Sequence, residues 1–210
     1  FFNIIDLCRK KKINKIFYAS SSSVYGDSKK FPLNEKHYLN PKNVYGLSKK
    51  FNEEIAETYS RLYKIKFIGL RFFTIYGEWG RPDMFIMKYI ISSINKKIFF
   101  LNNFGNHQRD FTYIKDAIEI IEKLFKKKIK SNHEIYNICS SNPIKITNII
   151  KIINKFFKPP KIKKRSLQIA DVIKTHGSNK KIVNDIKFKK FTKIDEGVKK
   201  TCIWAKKNFI

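Results

Sequence analysis

Lys15-Ile16-Phe17-Tyr18-Ala19-Ser20 is a short apolar run that stops in small hydroxyl residues, and it sets how the rest of the chain is read. Apolar residues in succession, rather than in alternation, suit a strand buried on both faces of a parallel sheet. Val24-Tyr25-Gly26-Asp27 is then a turn signal, and a polar loop lies between Phe31 and Pro41. Over residues 43–63, Phe51, Ile55, Tyr59 and Leu62 recur at helical spacing. Lys66-Phe67-Ile68-Gly69-Leu70-Arg71 is a second buried-strand run. Strand, helix, strand in this order is a βαβ unit on a parallel sheet, so the fold class is α/β.

Around this unit, residues 2–12 read as the tail of a helix with a basic end. After Arg71 the alternation breaks: residues 72–83 carry Gly77, Gly80 and Pro82 and read as loop. Further helices are expected at 84–95, 114–127, 147–157 and 195–208, and strands at 97–101 and 134–138. Arg109-Asp110-Phe111-Thr112 reads as the lead into the second of those helices, and Ser141-Asn142-Pro143 as a turn. Residues 158–165, basic and broken by proline, read as an exposed connection. None of the eight glycines form G-x-G-x-x-G or G-x-x-G-x-x-G. The turn that cradles a pyrophosphate in dinucleotide folds is therefore not in this sequence, and Phe1 opens it in mid-helix.

A length of 210 residues allows one good core or two small ones. No apolar run approaches the roughly 20 residues that span a bilayer, and no signal-peptide pattern opens the chain. Cys8, Cys139 and Cys202 are odd in number and far apart, which reads as free thiols in a reducing, cytoplasmic compartment. His37, His107, His133 and His176 lack metal-ligand spacing and read as surface or loop residues, with no metal expected. The formal charge of +28 invites a nucleic-acid partner. The lysines are instead spread along the whole chain among Ile, Asn and Phe, the signature of an AT-rich coding bias, so no nucleic acid and no membrane is expected. A basic surface still favours an anionic substrate through its field.

Tyr45-Gly46-Leu47-Ser48-Lys49 carries the chemistry. Residues four apart share a helix face, and an ammonium beside a phenol favours the phenolate. Such a tyrosine can act as a base, with a hydroxyl from the run Ser20-Ser21-Ser22-Ser23 completing a proton-handling trio. The spacing alone also arises by chance in a lysine-rich chain, so its surroundings decide.

Those surroundings are Tyr18-Ala19-Ser20-Ser21-Ser22-Ser23-Val24-Tyr25-Gly26, then Asn40-Pro41-Lys42-Asn43-Val44-Tyr45-Gly46-Leu47-Ser48-Lys49. Leu70-Arg71-Phe72-Phe73-Thr74-Ile75-Tyr76-Gly77, Arg109-Asp110-Phe111-Thr112-Tyr113-Ile114-Lys115-Asp116, Tyr136-Asn137-Ile138, Asp171-Val172 and Glu196-Gly197 follow in register. Together they resemble the extended short-chain dehydrogenase/reductases, the NAD-dependent nucleotide-sugar epimerase/dehydratase family. The run from Arg71 through Glu78-Trp79-Gly80-Arg81-Pro82-Asp83 to Met84, and Asn102-Asn103-Phe104-Gly105-Asn106-His107-Gln108-Arg109, look like its UDP-glucuronate 4-epimerases.

The resemblance implies the rear part of a Rossmann-type parallel sheet plus a smaller C-terminal substrate-binding domain. Residues 1–75 would be the rear half of the NAD-binding domain. Residues 76–210 would mainly bind substrate, with about 110–140 returning to the sheet. It implies NAD as cofactor, held by Tyr45, Lys49, Ala19 and Ser20, and a UDP-sugar as substrate. Tyr45 would be the base at the sugar 4-hydroxyl, Lys49 its partner, and Ser21 the hydroxyl at the 4-oxygen. Ser22 and Ser23 stand where related dehydratases and decarboxylases carry carboxylates, which favours plain 4-epimerisation. Arg81 would clamp a uronate carboxylate, the alternative being a surface loop arginine. Arg109 would hold the diphosphate, or else pair with Asp110. Asp171 and Thr74 fall at substrate-binding positions, while Asp116 and Asp171 also suit helix caps or turns. Arg71 reads as satisfying backbone, and Trp79 and Trp204 as packing. Cys139, and Ile169-Ala170 ahead of Asp171, depart from the family pattern.

The expected activity is conversion of UDP-glucuronate to UDP-galacturonate for surface polysaccharide synthesis, with a possible homodimer. UDP-glucose 4-epimerase or another nucleotide-sugar epimerase/dehydratase is the alternative within the class. Outside it stand an inactive truncated fragment and a basic nucleic-acid-binding protein.

Overall fold

The structure, a computed structural model, describes residues 1–129, 131–169 and 171–210. Ala170, half of one departure noted above, lies outside them. In chain order the elements are α1 (Phe2–Lys10), β1 (Lys15–Ser21), α2 (Val44–Tyr63), β2 (Lys66–Phe72) and β3 (Thr74–Tyr76). Next come α3 (Phe85–Ile94), β4 (Phe99–Leu101), β5 (Gln108–Tyr113), α4 (Ile114–Lys126) and β6 (His133–Ile138). The chain ends with β7 (Pro143–Lys145), α5 (Ile146–Ile153), β8 (Ile162–Lys164), α6 (Lys180–Ile186) and α7 (Ile194–Phe209).

The parallel sheet has the order β1-β2-β6, with Tyr18 beside Gly69 and Gly69 beside Ile135. Helices cover both faces, which is why β2 reads as an unbroken apolar run. On one face Ile5 of α1 and Ala56 of α2 pack with Tyr18 and Phe67. On the other, Ala117, Ile120 and Leu124 of α4 and Ile182 of α6 pack with Ile68, Leu70 and Ile138. This is an α/β, Rossmann-like arrangement. A second cluster gathers Ile86, Tyr89 and Ile90 of α3, Ile149 and Ile153 of α5, and Val198 and Cys202 of α7 around Phe99 and Phe111.

Several elements differ from expectation. Residues 72–83 are not all loop, because Thr74–Tyr76 pairs in parallel with Phe111–Tyr113. The stretch from Arg109 to Thr112 is therefore strand, and its start pairs antiparallel with β7, of which Pro143 is the first residue. Segments of three residues carry no measurable period, and their partners lie far off in sequence. Residues 158–165 likewise contain β8, a fully exposed strand on β4, with the Arg165 guanidinium 3.5 Å from the Phe100 ring centroid. Its lysines suit an edge open to solvent. Helix α5 stops at Ile153, and α6 was not expected. His107 sits in a loop but is buried, and His133 begins β6 and bonds Tyr18 Oη at 2.8 Å. Trp79 packs on Trp204, centroids 5.1 Å apart, while remaining largely exposed.

Arg71 also does more than satisfy backbone. Its Nε and Nη2 donate to the two carboxylate oxygens of Glu53 at 2.9 and 2.7 Å, and the side chains are 4% and 7% exposed. Its Nη1 donates to Tyr25 Oη at 2.9 Å and to the Glu35 carbonyl at 3.1 Å. Tyr25 Oη donates on to Asn137 Oδ1 at 2.7 Å. Burial works against the charge on Arg71, but the bonds to Glu53 outweigh it and hold the guanidinium above its ordinary range. Arg71→Met leaves the Glu53 carboxyl group buried without its partner, so we expect a loss of about 3–5 kcal/mol in urea unfolding. Adding Glu53→Leu should recover most of that loss; near-wild-type stability of the single variant would contradict the assignment.

Candidate active site

Strand β1 ends at Ser21, and the chain turns at once into a single 3-10 turn, Ser22–Tyr25. The Ser21 hydroxyl caps that turn, accepting from the Ser23 amide at 3.1 Å, and donates to Ser23 Oγ at 3.2 Å. Helix α2 begins against the same turn. Asn43 caps it by accepting from the Gly46 amide at 2.8 Å. Gly46 is needed for this approach, since a Cβ there would lie 2.5 Å from the Ser23 carbonyl oxygen.

From that start, Tyr45, Lys49 and Glu53 follow at intervals of four and share one face of α2. Glu53 accepts from the buried Ser20 hydroxyl at 2.5 Å. Lys49 Nζ donates to the Ala19 carbonyl at 3.0 Å and stands 5.7 Å from the Tyr45 ring centroid. Tyr45 is exposed over the mouth of a cleft of about 520 Å³.

Ala19, Ser20, Ser21, Ser22 and Tyr45 line that cleft from the sheet side. Thr74, Arg81, Arg109 and Asp171 line it too. Nine of the ten residues expected at the site thus meet around one cavity; Lys49 stands behind, on Ala19. Thr74, Arg109 and Asp171 also line a second chamber of about 360 Å³, which continues to Phe100, Asn102 and His107. The two chambers therefore join beside Arg109.

The arginines hold distinct postures. Arg81 is exposed, and its fork grips the neighbouring Asp83 carboxylate, with Nε donating at 3.0 Å. Arg109 does not pair with Asp110: its Nη1 donates to the carbonyls of Ile173 at 2.9 Å and Gln108 at 3.1 Å. Burial lowers its guanidinium below the ordinary range, with Asp171 opposing. Asp110 turns to the other side of β5, where it is fully buried. There it accepts from the Ser140 amide (3.1 Å), the Ser140 hydroxyl (2.9 Å) and the Gly177 amide (3.0 Å). Asp116 accepts from the amide and hydroxyl of Thr192, both at 2.8 Å, and so ties the segment before α7 rather than lining the cleft. The Asp171 amide donates to Gln168 and its carbonyl accepts from Lys42, leaving its carboxylate toward His107.

Glu53, Arg71 and His107 escaped the sequence reading of the site. Glu53 had a signal, since it continues the Tyr45–Lys49 spacing by one more turn. Arg71 and His107 gave none, because their partners come from distant segments. Among the described residues there is no cluster that could hold a metal ion, and no helix is long and apolar enough to cross a membrane.

Residues 1–139 match the sequence model of the NAD dependent epimerase/dehydratase family. The chain belongs to this family. An uncharacterized protein of Methanocaldococcus jannaschii is 40% identical over 208 residues, covering 98% of this chain and 63% of its own. UDP-glucuronate 4-epimerase 4 of Arabidopsis thaliana is 35% identical over 225 residues, covering 97% of this chain and 51% of its own. The chain thus spans between about half and two thirds of the length of these relatives. The crystal structure of UDP-glucuronic acid 4-epimerase from Bacillus cereus, in complex with UDP-glucuronic acid and NAD, superposes with a TM-score of 0.91 at 25% identity. It covers 98% of this chain and 66% of that one.

Asp110 is fully buried behind the cleft wall. Burial pushes its carboxyl up to about 6 despite its hydrogen bonds. A raised acid binds its proton more tightly when folded, so its contribution to stability is full below about pH 4 and is lost as pH rises through about 6. The change is on the order of 3 kcal/mol at most. We expect the wild type's stability relative to Asp110→Asn to fall between pH 4 and 7 in denaturant titrations. A relative stability that rises over that range would contradict it.

Proposed function

We propose that this chain carries the substrate side and the acid–base residues of an NAD-dependent UDP-sugar 4-epimerase, acting on UDP-glucuronate to give UDP-galacturonate. The observation that carries the proposal is the single cleft that collects Tyr45 and Ser21 on one wall and Arg81 and Arg109 on the other. Family membership and the relatives named above support it.

NAD would supply a reversible hydride acceptor for sugar C4. The donor set beside the Ala19 carbonyl fits its polar ribose: an ammonium has three donors and Lys49 spends one on Ala19. Tyr45 and Ala19 complete that side, while the sequence holds no Gly-rich turn for a pyrophosphate. Tyr45 removes the proton of the 4-hydroxyl and returns it on the opposite configuration, with Ser21 holding the 4-oxygen. Ser22 and Ser23 place no carboxylate beside C5, which supports epimerisation without elimination or loss of CO2. Arg109, where the chambers join, holds the diphosphate. Arg81 exchanges Asp83 for the sugar carboxylate, a trade of like for like that its bidentate grip supports.

The packing supports a division of labour. Residues 1–75 form the cofactor side, and 76–210 mainly the substrate side, with about 110–140 returning to the sheet. The burial of Ala117, Ile120 and Tyr136 against Ile68 and Leu70 supports that return. The outward apolar face of α2, with Val44, Leu47 and Phe51, supports pairing of two copies as a homodimer. The free cysteines support a cytoplasmic site of action, and the product class suits synthesis of uronate-containing surface polysaccharide.

The test supplies UDP-glucuronate with catalytic NAD and measures the 4-epimer. Tyr45→Phe should lower turnover by about 10²–10⁴-fold. Arg81→Ala should lower kcat/KM for UDP-glucuronate by roughly 10–100-fold while sparing UDP-glucose. Equal losses on both sugars would favour a glucose-type epimerase. Binding of both NAD and UDP-glucuronate without any product would overturn the epimerase reading.

A further inference from the structure

Arg81 stands in a segment with little packing of its own, since residues 81–84 are all exposed. The chain passes it in two successive tight turns. The Gly80 amide donates to the Gly77 carbonyl at 3.2 Å, and the Met84 amide to the Arg81 carbonyl at 3.1 Å. Inside the first turn Trp79 has φ of 59°. Bulky residues seldom adopt this left-handed backbone, and it persists where the surroundings over-determine it. Trp79 rests on Trp204 of α7, with ring centroids 5.1 Å apart. Beside it, Glu78 is held more firmly. Tyr113, the last residue of β5, is 2% exposed, and its phenol donates to both carboxylate oxygens of Glu78, at 2.7 and 2.8 Å. Burial, then that bond, push the phenol above its ordinary range, so it keeps the proton it donates.

Neither Glu78 nor Tyr113 lines either chamber, so any effect on a ligand passes through the turn they fasten. Arg81 is the cleft cation that this turn carries. A guanidinium clamps a carboxylate only when its fork is in register with both oxygens. Arg81 must release Asp83 to do so, and during that exchange only its backbone can keep the side chain aimed. A neutral hexose makes no such demand. We infer that Tyr113 is a positioning residue for uronate recognition: through Glu78 it fixes the turn from which Arg81 reaches the sugar carboxylate. The inference rests on the nucleotide-sugar reading and on the role of Arg81 within it. Asp116, three residues further on, does not compete for this task, because its carboxylate is committed to Thr192.

Calorimetric titration of the full chain with UDP-glucuronate and with UDP-glucose tests this. The variants are Tyr113→Phe, Glu78→Ala, Glu78→Gln, Arg81→Ala, and Tyr113→Phe combined with Arg81→Ala. Thermal unfolding of each checks that the fold is kept. Tyr113→Phe and Glu78→Ala should each bind UDP-glucuronate about tenfold more weakly and UDP-glucose as wild type does. Glu78→Gln, whose amide oxygen still accepts from the phenol, should recover most of the loss. On the Arg81→Ala background, Tyr113→Phe should cost nothing further on either sugar nucleotide. Equal loss on both ligands, no loss on either, or a tenfold loss that persists without Arg81 overturns the assignment while leaving the nucleotide-sugar reading intact. Failure of wild type to bind either ligand overturns that reading and this inference together.

Discussion

A buried ion pair, Arg71 with Glu53, sets the position of the groups on the sheet side of the cleft. Two charges removed from water tolerate little displacement, since neither can be left alone at low dielectric. The pair joins β2 to α2, and its branches reach Ser20 on β1, Tyr25 in the turn after β1 and, through Tyr25, Asn137 on β6. Asn137 in turn donates to the carbonyls of Leu33 and Ser178 and takes the Glu35 carboxylate on its amide. Fixing Glu53 fixes the rotation of α2. Lys49 and Tyr45, one and two turns earlier on the same face, are thereby carried to the ends of the strands.

The cleft lies at the carboxyl ends of β1 and β2, where open α/β sheets leave a crevice beyond the strand ends. Its opposite wall is built from short pieces: β3, the segment holding Arg81, the start of β5 and the segment after Gln168. Short strands contribute little stability alone, and these are held by crossed bonds. Asp110 gathers Ser140 and Gly177, while Arg109 and Gln108 hold Ile173. The result is a wall that sets Arg81, Arg109 and Lys174 beside the single lining carboxylate of Asp171, with the buried Asp110 facing away from the cavity. That arrangement favours an anionic ligand more locally than the overall charge of +28 does.

Much of the fold was legible because it is written in local periods. The apolar run of β1, the helical spacing of α2 and the run of β2 each fall within one or two residues of the observed bounds. Legibility failed where an element is shorter than any period or depends on a remote partner. β3 and β5 are strands because they pair with each other across more than thirty residues of chain. The glycines and proline in between look like loop from either side.

By itself the sequence determined the α/β class, the placing of Tyr45 and Lys49 on one helix face, and the order of motifs that marks the family. These depend on backbone geometry and on residues near each other in the chain. Only the tertiary structure decided which partners the polar groups take. Arg109 turns to the Ile173 carbonyl rather than to adjacent Asp110, Arg71 buries its charge on Glu53, and Asp110 keeps a proton to about pH 6. The reason is physical: the energy of a charge depends on burial and on its neighbours in space, and neither is encoded at the position of the residue itself.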